Sequence, residues 1–224
     1  MGKLAHNQSR NLVVLGAMAL LVGGCSGSSG TPQDDFAVRP IASFAATDAL
    51  SRQLFAETVG LNPTRSTQLP VTGTARYTGA VSYVDSNTTF IPKDMKFPEY
   101  ETFIINNPDY VSRIRMTANF AGDSISGSMD SFRSADNEAR RIGITFDGTI
   151  VDSKDNTAAF TGTLSGTNEI QTGPTDIKTK NFSGSLAGNF LGGQGDSALG
   201  TLAIKRGFTG EERGDVFGVF TAEQ

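Results

Sequence analysis

The stretch Phe182-Ser183-Gly184-Ser185-Leu186 places a glycine between two apolar residues, each two positions away. The same pattern recurs at residues 77–81, 125–129, 146–150, 160–164 and 216–220. Because side chains alternate between the two faces of a strand, each glycine shares a face with its large neighbours. Glycine weakens a strand, so its repeated use needs a cause. A small closed barrel provides one, because bulky side chains fit inside it only where facing positions are empty.

Apolar and polar residues alternate with a period of two on both sides of this pattern, which is typical of strands with one buried face. Clusters of Gly, Asp, Asn and Ser separate the candidate strands and favour short antiparallel connections. These strands cover residues 71–83, 113–120, 124–132, 142–151, 158–165, 180–191, 198–205 and 215–222. We therefore expect an all-β domain over residues 67–224, an eight-stranded antiparallel up-and-down β-barrel with a filled interior. A barrel with a cavity for an apolar ligand is the alternative.

The first 24 residues resemble a lipoprotein signal peptide. Lys3 and Arg10 precede an apolar stretch over residues 12–22, which is short for a membrane span, and Gly23-Gly24-Cys25 follows it. A cysteine directly after small residues predicts cleavage before Cys25 and lipidation of its thiol, and the alternative is an ordinary secretory signal. Ser26 instead of an aspartate favours the outer membrane, and residues 25–35 predict a flexible tether.

Residues 36–66 form a mixed segment with a short helix. Thr47-Asp48 is a candidate N-terminal cap, and Gly60 is expected to end the helix. We expect this helix to pack on the end of the barrel domain.

The composition excludes several classes of function. The net charge is −4, and loss of Lys3 and Arg10 leaves 17 basic and 23 acidic residues, a net charge of −6. A nucleic-acid-binding protein is therefore disfavoured. His6 and Cys25 are the sole histidine and cysteine, so a processed chain has no side chain for a Ser-His-Asp triad or a histidine metal site. We expect no enzymatic activity and no cofactor.

The C-terminal strands resemble the closing strands of the transferrin-binding protein B barrel. The resemblance rests on Phe182-Ser-Gly-Ser-Leu-Ala-Gly-Asn-Phe190, on the Gly-rich residues 191–203, and on Asp215-Val-Phe-Gly-Val-Phe220. Residues 116–132 are similar to an earlier hairpin of that family. The resemblance covers about residues 70–224 and implies a surface lipoprotein, of the group that includes factor H-binding protein, which captures a protein without catalysis. Transferrin-binding protein B has two lobes, each with a barrel, whereas this chain has room for one barrel. The resemblance therefore does not imply transferrin as the partner.

The most promising functional stretch is residues 90–110, which is too long for a hairpin between the first two strands. It contains the aromatic residues Phe90, Phe97, Tyr100 and Phe103, which suit contact with a protein partner. It could equally fold over the barrel mouth as a lid, with a small strand near residues 101–106. Arg140-Arg141 beside Glu138 is a candidate basic contact patch, although solvated strand ends explain it equally well.

Three functions are compatible with these features. The first is an outer-membrane lipoprotein that presents loops to a protein or an iron-related ligand at the cell surface. The second is a structural envelope lipoprotein without a soluble partner, and the third is a carrier of a small apolar ligand inside the barrel. A packed interior would exclude the third.

Overall fold

The computed structural model describes residues 42–92, 94–96, 98–209 and 214–224. The predicted signal peptide, the predicted tether, Cys25 and Phe97 lie outside the described residues. Two α-helices and eight strands occur within these ranges. They are α1 (Phe44–Thr58), β1 (Thr74–Asp85), α2 (Glu99–Asn106), β2 (Tyr110–Asn119), β3 (Ser124–Ser134), β4 (Arg141–Asp152), β5 (Ala158–Gln171), β6 (Ile177–Leu191), β7 (Ser197–Ile204) and β8 (Val216–Glu223).

The eight strands form a closed antiparallel barrel in which each strand pairs with its neighbour in sequence. The barrel closes where β1 pairs with β8, with Gly79 opposite Ala222 and Asp85 opposite Val216. The predicted all-β, eight-stranded up-and-down barrel is therefore confirmed. The connection between β5 and β6 is shorter than predicted, because the predicted strands covered residues 158–165 and 180–191. In the structure β5 continues to Gln171 and β6 begins at Ile177, so the two strands form a hairpin that projects beyond the neighbouring β7.

Inward-facing side chains from all eight strands fill the barrel. Phe160, Phe190 and Phe220 are buried, with ring centroids of Phe160 lying 5.1 Å from Phe190 and 6.0 Å from Phe220. The other inward side chains are mainly Ile, Leu, Met, Val and Ala. The interior is thus a packed core, and the expected filled interior is present.

Inward-facing glycines make room for the aromatic rings of adjacent strands. Gly188 lies directly opposite Phe160, and a Cβ atom at Gly188 would stand 2.6 Å from the Cζ atom of that ring. Gly200 has the same relation to Phe220 across β7 and β8. The six predicted glycines all face neighbouring strands closely enough for an added Cβ atom to clash or touch: Gly79, Gly127, Gly148, Gly162, Gly184 and Gly218. Among the six, Gly127 faces the ring of Phe146, whereas Gly79, Gly148 and Gly162 face backbone atoms of an adjacent strand. The pattern glycines therefore allow both close packing of rings and close approach of neighbouring strands.

The two helices cover part of the outer wall of the barrel. Helix α1 packs against β1, β2, β7 and β8, and α2 packs against α1, β1 and β8. Phe55, Val84, Ile104, Ile105 and Val219 form the buried cluster between helices and wall. The prediction that α1 packs on the end of the barrel is therefore wrong, because the outer faces of β1 and β8 are themselves apolar. No helix in the described ranges has the length and hydropathy needed to cross a membrane.

The beginning of α1 also differs from the prediction. Ser43 caps the helix and accepts a hydrogen bond from the backbone N–H of Ala46 at 3.2 Å, so Thr47 and Asp48 lie inside the first turns. Thr47 is buried in the helix–barrel contact instead. The helix ends at Thr58 with Val59 as its C-cap, directly before Gly60, as the prediction requires.

Candidate functional site

The two ends of the barrel differ in construction. We call the end that carries the β2–β3, β4–β5 and β6–β7 connections the closed end, and the opposite end the loop end. At the closed end the segment before β1 crosses the barrel, where Thr64 donates its N–H to Phe190 O at 2.9 Å and accepts from Ala158 N at 2.8 Å. The Tyr77 hydroxyl donates to Gly195 O at 2.6 Å and accepts from the side chain of Gln224 at 3.2 Å. Burial raises the pKa of Tyr77 to about 12, so this hydroxyl stays protonated in its hydrogen bonds.

At the loop end the β7–β8 connection inserts one aromatic ring into the barrel mouth. Phe208 is buried, and its ring centroid lies 5.4–5.8 Å from those of Tyr83, Tyr110, Phe132 and Phe182. The alternative in which residues 90–110 form the lid of the mouth is therefore not what the structure shows. Phe208 fills this position, and the sequence offered one signal for it, a lone aromatic residue between Gly207 and the glycine at position 210.

The β1–β2 connection, residues 86–109, is fixed at its base by one carboxylate. Asp109 accepts hydrogen bonds from the backbone N–H of Asp85 at 2.8 Å and from the hydroxyls of Thr88 and Thr89, both at 3.0 Å. The Asp109 backbone N–H also donates to Tyr83 O at 2.8 Å. The long connection therefore leaves and re-enters the barrel at a well-defined place, as a binding loop requires.

The middle of this connection is a helix and not the small strand expected near residues 101–106. Glu99 and Glu101 lie in the first turn of α2, where carboxylates suit the positive end of the helix dipole. The Ile104-Ile105 pair, which lies within the range of that expected strand, is buried against α1 and the barrel wall. The Arg52 side chain of α1 ties the two helices together by donating to Asn106 Oδ1 at 2.8 Å and to Asn106 O at 3.3 Å.

One carboxyl group of α2 is buried in this packing. Glu101 is 6% exposed, and burial raises the pKa of its carboxyl from 4.5 to about 7. The ionised form of Glu101 therefore opposes the docking of α2 on the barrel.

An apolar groove of about 350 Å³ lies between the start of the β1–β2 connection, α2 and β8. Phe90 stands at its rim with 80% of its surface exposed. Tyr100 packs edge-on against Phe217 of β8 on the inner side, with ring centroids 6.2 Å apart, and burial raises the pKa of Tyr100 to about 12. The groove is lined by Ser86, Phe90, Ile91, Pro92, Met95, Tyr100 and Phe217.

The structure thus brings two of the predicted contact residues together. Phe90 and Tyr100 share the groove, whereas Phe103 packs with the cluster beneath α2. Phe97 lies outside the described residues. Their role as partner contacts stays a prediction.

The candidate basic patch consists of paired charges. Arg140 contacts the carboxylate of Glu138 at 3.2 Å, and Arg141 contacts that of Glu169 at 3.5 Å. These pairs offset the positive charge that Arg140-Arg141 suggested. In the described part of the chain, no three His, Cys, Asp or Glu side chains are grouped so that they could hold a metal ion.

Comparison with known proteins finds no match among curated sequences. The similar solved structures include intact Ap-TbpB with its N and C lobes, at 18% identity and a TM-score of 0.43. They also include a mutant of the vaccine antigen transferrin-binding protein B from Haemophilus parasuis Hp5, at 16% identity and a TM-score of 0.44, and the isotype 1 transferrin-binding protein B from serogroup B Neisseria meningitidis, at 16% identity and a TM-score of 0.40. The alignments cover 73%, 73% and 69% of this chain and 28% of each of those chains.

The family model for the C-lobe and N-lobe beta barrels of Tf-binding protein B matches residues 69–224. The match spans all eight strands and both ends of the barrel. The chain therefore belongs to the family of transferrin-binding protein B beta barrels.

Proposed function

We propose that this protein is an outer-membrane lipoprotein, anchored through Cys25, that binds a protein partner at the cell surface without catalysing a reaction. Membership of the transferrin-binding protein B barrel family supports the binding role. The Gly23-Gly24-Cys25 sequence supports the anchor. Attachment through several acyl chains on one residue would give stable membrane association.

The partner is held at the loop end, in the groove beside Phe90. The observation that carries this proposal is the 80% exposure of Phe90 at the rim of a preformed apolar groove. Aromatic residues, including phenylalanine, are enriched at protein–protein interfaces, and aromatic anchors that fill pockets carry much of the binding energy there. The groove rests on the ordered base made by Asp109, so little conformational freedom is lost on binding.

The proposed contact surface does not by itself identify the partner. The similar solved structures are named for transferrin binding, but this chain spans 28% of the length of each. We therefore propose a protein partner for the loop end, and capture of this partner by the unaltered chain identifies it.

The packed interior argues against a carrier of an apolar ligand. Phe160, Phe190 and Phe220 occupy the space that such a ligand would need, and the rings of Phe160 and Phe220 lie over Gly188 and Gly200. A ligand of useful size would have to displace several buried aromatic side chains, each worth several kcal/mol of stability.

The anchor is tested by the Cys25→Ala variant of the full chain. We expect the variant to be released from the membrane fraction, whereas the unaltered chain sediments with outer membranes. Membrane attachment of Cys25→Ala would contradict lipidation.

Surface exposure is tested by adding protease to intact cells. We expect the protein to be digested, while a periplasmic control protein survives. Survival of the protein under the same conditions would favour the structural envelope lipoprotein.

The binding role is tested by capturing the partner with the unaltered chain and with Phe90→Ser. We expect Phe90→Ser to weaken capture at least tenfold. Val71→Ser is the matched control, because Val71 is an exposed apolar residue, 86% accessible, that precedes β1 at the closed end. Equal capture by all three chains would contradict the assignment of the contact surface.

A further inference from the structure

A second cavity, of about 510 Å³, lies in the barrel mouth at the loop end. We call it the mouth cavity. It is bounded by the β3–β4 connection on one side and by the projecting β5–β6 hairpin on the other. The aromatic rings of Tyr110 and Phe208, 5.4 Å apart and nearly perpendicular, line it on the barrel side. Its volume lies within the range typical of small-ligand sites.

The described lining of the mouth cavity contains more acidic than basic side chains. Glu138 is paired with Arg140 at 3.2 Å, and Glu169 is paired with Arg141 at 3.5 Å. Among the described residues, the remaining charged residue in the lining is Asp85. The surplus charge of this described lining is therefore negative and belongs to Asp85.

Asp85 is held in place but only partly satisfied. It follows the inward-facing Tyr83 by two positions at the end of β1, and it is 5% exposed. Its Oδ1 atom accepts a hydrogen bond from Asn87 N at 2.8 Å. Within the described ranges, no residue donates a hydrogen bond to its Oδ2 atom. Asp85 Oδ2 is not among the fully buried atoms without a partner in these ranges, so it keeps access to the cavity that Asp85 lines. A cation in the cavity can therefore reach this oxygen and pair with its charge in a partly desolvated site.

We propose that the mouth cavity binds an organic cation, an ammonium or guanidinium group that pairs with Asp85. Aromatic rings attract such cations through their electron-rich faces, and Tyr110 and Phe208 supply rings beside the carboxylate. The cation comes either from a free small amine or from a lysine or arginine side chain of a partner. The site stands independently of partner capture at the Phe90 groove.

The first test uses the full chain in detergent micelles and follows its backbone amide resonances. Tetramethylammonium is compared with tert-butyl alcohol, which has a similar shape and no charge. We expect saturable shifts near Asp85, Tyr110 and Phe208 with tetramethylammonium, and at least tenfold weaker binding of the alcohol. Equal responses to the two probes would overturn the proposal.

The second test is Asp85→Asn, which keeps an oxygen that can accept from Asn87. We expect this variant to bind tetramethylammonium at least tenfold more weakly. Asp155→Asn in the β4–β5 turn at the closed end is the control, because it changes the net charge equally. Unchanged affinity in Asp85→Asn would contradict the proposal, and if that variant does not fold, the two probes on the unaltered chain decide.

The source of the cation is distinguished by a third probe, the blocked tripeptide Gly-Lys-Gly. Tighter binding of the peptide than of tetramethylammonium assigns the site to a partner side chain. Binding of tetramethylammonium without the peptide assigns it to a free amine. Failure of both to bind overturns the proposal.

Discussion

The closed end and the loop end of the barrel are made from the same eight strands but are finished differently. At the closed end the connections are short, and the segment before β1 is joined to β5 and β6 by backbone hydrogen bonds from Thr64. At the loop end the connections carry α2, the buried Phe208, the apolar groove and the mouth cavity. The barrel is therefore a scaffold, sealed at one end, whose candidate recognition features are concentrated at the other.

The largest expected effect comes from removing one phenylalanine ring at each end. Phe190→Ala should reduce the free energy of unfolding by about 3–5 kcal/mol, because its ring contacts Tyr77, Phe120 and Phe160 in the strand core. Phe208→Ala should cost less, about 2–3 kcal/mol, because Phe208 belongs to a connection that can relax beside the mouth cavity. Urea unfolding measures both.

The two losses in the free energy of unfolding, compared with each other, test whether the two ends differ in packing. A cost for Phe208→Ala equal to or larger than that for Phe190→Ala would show that the loop end is as tightly determined as the closed end. The contrast between the ends would then be wrong.

The next effect concerns the pH dependence of α2. The pKa of Glu101 is raised from 4.5 to about 7 in the folded chain, so folding is opposed once this carboxyl ionises. Below about pH 4.5 the Glu101 carboxyl is protonated in both the folded and the unfolded chain and does not destabilise the fold. The free energy of unfolding then falls as the pH rises from about 4.5 to about 7. Allowing for partial hydration, we expect a loss of about 1–2 kcal/mol.

Glu101→Gln tests this directly. Hydrogen exchange of α2 amides should become slower at pH 8 in the variant than in the unaltered chain, and the two should agree near pH 4.5. No difference at pH 8 would mean that the carboxyl is solvated. Exchange of β5 and β6 amides near Phe160 serves as the internal reference, because that part of the barrel is distant from α2.

A smaller effect is expected at the closed end from Tyr77→Phe. The change removes the hydrogen bonds of the Tyr77 hydroxyl to Gly195 and Gln224, at 2.6 and 3.2 Å, and keeps the ring. We expect a loss of about 1 kcal/mol in thermal or urea unfolding. A loss near zero would indicate that the hydrogen bonds of Tyr77 to Gly195 and Gln224 do not help to seal this end.

The smallest stability effects belong to the exposed apolar residues of the two ends. Phe90→Ser and Val71→Ser should each change the free energy of unfolding by less than about 0.5 kcal/mol, because both side chains are largely in water. A larger loss in Phe90→Ser would show that Phe90 supports the fold of the β1–β2 connection, and capture experiments with this variant would need to be corrected for it.

The barrel could be predicted because its determinants are local and repeated. The glycine pattern and the alternation depend on residues two positions apart, and register then places Gly188 opposite Phe160. Other features depend on tertiary contacts. The Ile104-Ile105 pair has high strand propensity, but its burial against Phe55 and Val219 selects a helix. Likewise Ser43 replaced Thr47 as the cap because Thr47 is buried against the barrel.

The sequence predicted which segment carries the candidate site but not the three-dimensional arrangement of its residues. The length and aromatic content of residues 90–110 indicated a functional connection, and Phe90 and Tyr100 share its groove. The contacts of Asp109 could not be predicted, because they join residues that lie 20 to 24 positions apart in the sequence. The place of Asp85 in the mouth cavity could not be predicted either, because the lining of that cavity comes from different loops.

The most direct test of the central claim is photocrosslinking on intact cells from one position at each end. A photoreactive phenylalanine analogue is placed at position 90 in one chain and at position 71 in the other, and adducts are resolved by mass. We predict a specific protein adduct from position 90 at the loop end and none from position 71 at the closed end. An adduct from position 71 alone, or equal adducts from both, would contradict the account.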